Sequence, residues 1–183
     1  MIETEYGFIV LANSKMGFVP NAIKWFTGSQ FSHSLVTIPS ILDISMCIEA
    51  AEGGVDTVRF DTGYEANLSQ GYEVWRVKID RPAKDAAIVS LLNDLEISYG
   101  FFEYPWFIWR KICKFFGKDI KSQPNWNTKG MICSQLCVAY IKACDLSSVL
   151  SGYGNGSIAP QDLQDIFKAH PEVFELVTSV RLP

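Results

Sequence analysis

Between Phe31 and Ile79 the chain reads as a succession of short β-forming runs cut by turn residues. "FSHSLVTI" is closed by Pro39, and runs at 44–50, 55–60 and 72–79 follow, punctuated by Gly53, Gly54, Gly63 and Gly71. Connections this short favour antiparallel neighbours over the long crossovers that parallel strands need. With a further strand-like run at 6–12 and "VFELVTSVRL" at the C-terminal end, an antiparallel sheet is expected.

Helical patterns lie on either side of these runs. Pro20 opens a short one through Trp25 that ends at Gly28. From 82 to 99 the apolar residues Ala87, Ile88, Leu91, Leu92 and Leu95 recur at helical spacing, and Gly100 stops the pattern. A second long helix is expected over 133–143, and Pro160 with Asp162 starts another to about Ala169. The order of elements is that of an α+β protein. A chain of 183 residues with no internal repeat is expected to form a single domain, residues 1–183.

Charge and composition narrow the function. A formal net charge of −4 argues against a nucleic-acid partner, which would need a basic surface to displace counterions. No secretory signal and no apolar run of membrane-spanning length is read, so the expected location is cytoplasmic. Five cysteines with no pairing pattern fit a reducing compartment.

Three of those cysteines share the stretch "GMICSQLCVAYIKAC". On a helix Cys133, Cys137 and Cys144 fall within about 40° of one another, in one stripe with Leu136, Tyr140 and Ile141. A buried stripe accepts cysteine as a small hydrophobe, which accounts for Cys137 and Cys144. Zinc would need four close ligands, and Cys144 lies about 16 Å along the axis from Cys133, so no metal site is expected. Cys133 differs by its place at the helix start after Gly130, where free N–H groups and the helix dipole favour a thiolate. Many helix starts also carry an inert cysteine.

A nucleophilic cysteine needs a base, and the chain has two histidines. His170 precedes Pro171 in a C-terminal loop and reads as incidental. His33 lies in a strand. If the hairpin loop spans residues 39–43, Ile38 pairs with Ile44 and His33 falls directly across from Glu49. A carboxylate there would fix the imidazole tautomer and stabilise the imidazolium. Glu52 is the fallback orienter. The Cys133 N–H is a natural oxyanion donor. Tyr6 and Ser134 are candidates for the remaining oxyanion or substrate contacts.

"TGSQFSHSLVTI", "CIEAAEGGV", "MICSQLCVAYIKA" and "IAPQDL", in that order, resemble the permuted papain-like cysteine hydrolases. The likeness is to the YiiX-like branch of the NlpC-type superfamily, which includes lecithin retinol acyltransferase relatives. The resemblance covers about 6–60 and 130–165, and two departures stand out: Phe8 after Gly7 where the family has Gly-Asp, and Gln135 where it has an acid. It implies a circularly permuted papain-like fold, an antiparallel sheet or small barrel packed against helices. It also implies a Cys133, His33 and Glu49 triad that needs no cofactor. The expected activity is thiol-dependent cleavage of an amide in a peptidoglycan-type peptide or related substrate, through a thioester. The alternatives are a lipid acyl hydrolase or acyltransferase at a membrane surface, and a non-catalytic module holding a peptide or acyl chain. A thiol redox protein using Cys133 and Cys137 is disfavoured by the i, i+4 spacing.

The segment 101–116 is crowded with aromatics beside Arg110, Lys111 and Lys114. It would suit core packing, a hydrophobic substrate groove, or peripheral contact with a membrane whose anionic headgroups meet the cations.

Overall fold

The computed structural model describes residues 6–13, 30–51, 53–60, 71–98, 100, 109, 110, 112, 113, 115–118, 120, 130–153 and 158–180. The expected helix near Pro20 and the fallback acid Glu52 lie outside them. Six strands form one antiparallel sheet: β1 (Phe8–Ala12), β2 (His33–Ile41), β3 (Ile44–Ala51), β4 (Gly54–Arg59), β5 (Tyr72–Val77) and β6 (Phe174–Val180). Their order across the sheet is β4-β3-β2-β1-β5-β6. Among the described residues three α-helices accompany it, α1 (Arg81–Leu92), α2 (Cys133–Ala143) and α3 (Pro160–Ala169), making the chain α+β as expected.

β1 reads "FIVLA" because both of its faces are buried, and an alternating pattern would leave polar groups inside. Ile9 and Leu11 face the helices, together with Val36 and Ile38 of β2, Ile48 of β3 and Trp75 of β5. Against them pack Ile88 and Leu91 of α1, Leu136, Cys137 and Tyr140 of α2, and Leu163 and Phe167 of α3. The alternate residues Phe8, Val10, Leu35, Cys47 and Val74 form a second cluster on the other face. One buried carboxylate ties α3 to the sheet: Glu73 accepts hydrogen bonds from Trp75 Nε1 at 3.0 Å and Gln164 Nε2 at 2.8 Å.

Helix starts follow local chemistry. Asp80 caps α1 by accepting the Ala83 N–H at 3.0 Å. Asp162, third residue of α3, accepts the Ala159 N–H at 2.8 Å, and Gln135 does the same for Ile132 at 2.9 Å. α1 is shorter than its apolar spacing predicts and ends at Leu92, not near Tyr99. The chain beyond it turns to bond β4: Glu96 donates to the Val55 carbonyl and Val55 to the Ile97 carbonyl. Those backbone bonds replace the helical ones, so Leu95 packs on the core from a turn.

The β2–β3 hairpin also departs from the expected loop at 39–43. β2 runs on through Pro39 to Ile41, which pairs with Ile44 across a two-residue turn. Leu42 and Asp43 both have positive φ, 50° and 65°, the backbone of a type I′ turn. One extra residue between Ile38 and Ile41 is absorbed as a bulge, and Ile38 pairs with Met46. Leu42 is a poor residue for left-handed backbone and is almost fully exposed. Replacing the pair by Asn-Gly (L42N/D43G) should stabilise the protein by about 1 kcal/mol in urea unfolding.

Gly7 is constrained in the opposite sense. Its φ is +75°, and an added Cβ would sit 2.5 Å from Tyr140 Oη, which donates to the Gly7 carbonyl at 3.1 Å. Gly7→Ala should cost about 2 kcal/mol or more, and less in a Tyr140→Phe background, where the clashing oxygen is gone. Thermal unfolding of the two single variants and the double variant measures this non-additivity.

Candidate active site

β2 begins at His33, which pairs with Ala12 at the end of β1. On the other side the β2–β3 register places Leu35, not His33, directly opposite Glu49. The expected opposition is therefore out by two residues, because the bulge and tight turn replace the assumed five-residue loop. A shift of two keeps the side-chain face, so Glu49 still shares a face with His33 along the diagonal. The contact survives: His33 Nε2 lies 2.7 Å from Glu49 Oε2, with both side chains largely buried.

Cys133 is the first residue of α2 and is 3 % exposed. Its side chain is hydrogen-bonded to that of His33, so the imidazole joins thiol and carboxylate. Burial opposes the charge on each partner. On Cys133 the His33 hydrogen bond and charge outweigh it, with a smaller contribution from Ser34, and the thiol pKa is lowered below the usual 9.0. On His33 burial is likewise the largest influence and is overcome by Cys133, then Glu49, so the ring pKa is raised above 6.5. These opposite shifts favour the thiolate–imidazolium form of the pair over the neutral one.

The other cysteines supply the contrast. Burial pushes Cys137 up to about 12 and Cys144 up to about 11. Burial, then the Glu49 carboxylate, also raises Cys47. All five cysteines are free and buried, so burial alone does not activate a thiol here. The expectation that Cys137 and Cys144 are packing residues agrees with their places in the core.

The two weaker candidates separate. Ser134 is adjacent to the thiol and fully buried, and its Oγ has no hydrogen-bond partner of ordinary geometry. Tyr6 is elsewhere: its hydroxyl is hydrogen-bonded to Asp85 and accepts from Arg81 Nε at 3.0 Å, both on α1. That end of β1 meets α2 at Tyr140, about 10 Å along the helix from Cys133. The Tyr6 hydroxyl is engaged with the α1 pair Arg81 and Asp85. His170 pairs with Glu172 two residues away, on the surface.

Ser34 is the residue that sequence reading passed over. Its N–H and hydroxyl both favour the Cys133 thiolate, although Ser34 Oγ, like Ser134 Oγ, closes no hydrogen bond of ordinary geometry. The available signal was alternation, since the residue after a histidine on one face of β2 must point to the other face, where α2 packs. In the "IAPQDL" stretch, Asp162 caps α3 and forms a bidentate pair with Arg110, at 2.6 and 2.9 Å. That is a structural role.

A lowered thiol pKa leaves thiolate present below pH 9 and removes it as pH falls through the lowered value. Iodoacetamide should therefore label Cys133 at neutral and mildly acidic pH, while Cys137 stays unreactive. In His33→Ala only burial and Ser34 remain, so Cys133 labelling at pH 7 should fall by on the order of 10²-fold. Peptide mass spectrometry across a pH series reads both sites.

No protein-family model and no curated protein matches the chain. Among solved structures, the chain is similar to the crystal structure of "metalloprotein yiiX from Escherichia coli O157:H7, DUF1105". The TM-score is 0.58 at 16% sequence identity, over 97% of this chain and 98% of that one. This likeness shows a YiiX-like fold.

Proposed function

We propose that this protein is a thiol hydrolase that cleaves an amide bond, in a peptidoglycan-type peptide or a related amide, through a thioester acyl-enzyme. The observation that carries the reading is His33 hydrogen-bonded at once to Cys133 and, at 2.7 Å, to Glu49. The finer reading of the fold, a circularly permuted papain-like one, rests on the order His33, Glu49, Cys133 and on the YiiX-like architecture.

The chemistry runs in two halves. Glu49 holds the ring through Nε2–H, which leaves Nδ1 to exchange a proton with the thiol. The Cys133 thiolate adds to the carbonyl carbon, and the oxygen takes the negative charge beside the Cys133 N–H at the start of α2. His33 then delivers its proton to the departing amine as the C–N bond breaks, leaving a thioester and a neutral imidazole. Water, deprotonated by that imidazole, attacks the thioester, releases the acid and restores the pair. Ser134 and Ser34 Oγ are buried hydroxyls beside this path with hydrogen-bonding capacity to spare.

The yiiX structure is described as that of a metalloprotein. Among the described residues of this chain, no three His, Cys, Asp or Glu side chains form a group that could hold a metal ion. In the thiol site the imidazole is hydrogen-bonded to both neighbours. No step of this chemistry passes through a metal.

The test is a screen of peptide amides, with intact-protein mass spectrometry to trap the acyl-enzyme. Turnover should vanish in Cys133→Ala, and Glu49→Gln should lose about 10²- to 10⁴-fold in kcat. An acyl adduct should accumulate on Cys133 under acid quench. Turnover that persists in Cys133→Ala, or an adduct on another residue, overturns the reading.

A further inference from the structure

In the stretch 109–116 the described residues bury a charge and expose apolar side chains. Within it Arg110 is largely buried and clamped by Asp162 of α3, and Cys113 is buried too. Its large apolar residues face solvent: Trp109 is 54 % exposed, Ile112 44 %, Phe115 86 % and Phe116 72 %. Phe116 N–H still donates to the Ile112 carbonyl, so the turn holds to that point. These four residues occupy an arc of about 120°. A contiguous exposed apolar patch of this kind marks a binding surface.

Charge identifies the occupant. Residues 109–121 hold five of the chain's 16 lysines and arginines, Arg110, Lys111, Lys114, Lys118 and Lys121, against the single acid Asp119. The rest of the chain is correspondingly acidic, since the whole carries −4. Aromatic side chains flanked by cations suit the headgroup boundary of an anionic bilayer, where rings enter the acyl edge and cations meet phosphates. No helix among the described residues is long and apolar enough to cross a membrane. We infer that the face made by Trp109, Ile112, Phe115 and Phe116 docks the protein peripherally on an anionic lipid surface. The bidentate Arg110–Asp162 pair ties this stretch to α3. This inference rests on the surface and is independent of the thiol chemistry.

Flotation with vesicles of phosphatidylcholine, with and without phosphatidylglycerol, tests it on the full chain. The wild type should float with the anionic vesicles at low salt and be released as salt is raised. In the double variant F115S/F116S the partition coefficient should fall by about 30-fold or more. Both residues are exposed, and Cys133 labelling by iodoacetamide, unchanged in the variant, verifies its fold. Failure of the wild type to float, or equal flotation of the variant, overturns the inference. So does a wild type that ignores vesicles but self-associates through this face, read by loss of a dimer in the variant.

Discussion

The packing of α2 against the sheet is the contact on which the rest depends. Leu136, Cys137 and Tyr140 are buried in the core where α2 packs on β2 and β3, and that burial fixes both where α2 lies and where it begins. Tyr140 adds a directional element by donating to the Gly7 carbonyl at the start of β1. With the helix pinned along its length, its first residue has one place to be, beside His33. The apolar stripe stabilises the fold and sets the geometry of the site together.

That geometry decides the electrostatics. Every cysteine in the chain is buried, and a buried thiol with no charged partner stays protonated, as Cys137 does. Cys133 escapes because an imidazole is buried with it, and the charge on that imidazole is supported against burial first by Cys133 and then by the Glu49 carboxylate. The three groups are mutually dependent in a low-dielectric setting, where removing one leaves the others with an uncompensated desolvation cost.

Asp162 illustrates how the same principle serves structure. It caps α3 through the Ala159 N–H and clamps Arg110 with both carboxylate oxygens. The motif that held it was visible in the sequence, but its partner lies 52 positions away and no local pattern announces it. By immobilising a cation inside, the pair leaves the aromatic side of that stretch outside.

Local patterns determined much of this protein. The strand runs, the start of α2 at Cys133 and the start of α3 at Pro160 follow from alternation, helical periodicity and punctuation by Pro and Gly, each felt within a few residues. The choice of Cys133 and His33 followed from a helix start and the scarcity of histidine. Register was legible only to within two residues, because a bulge and a strained Leu42–Asp43 turn depend on the whole hairpin's packing. Tertiary structure alone decided that α1 stops at Leu92 to pair with β4, that Tyr6 is drawn to Asp85 and away from the thiol, and that Ser34 joins it. Those outcomes turn on contacts between residues far apart in the chain, whose free energies exceed the local preferences they override.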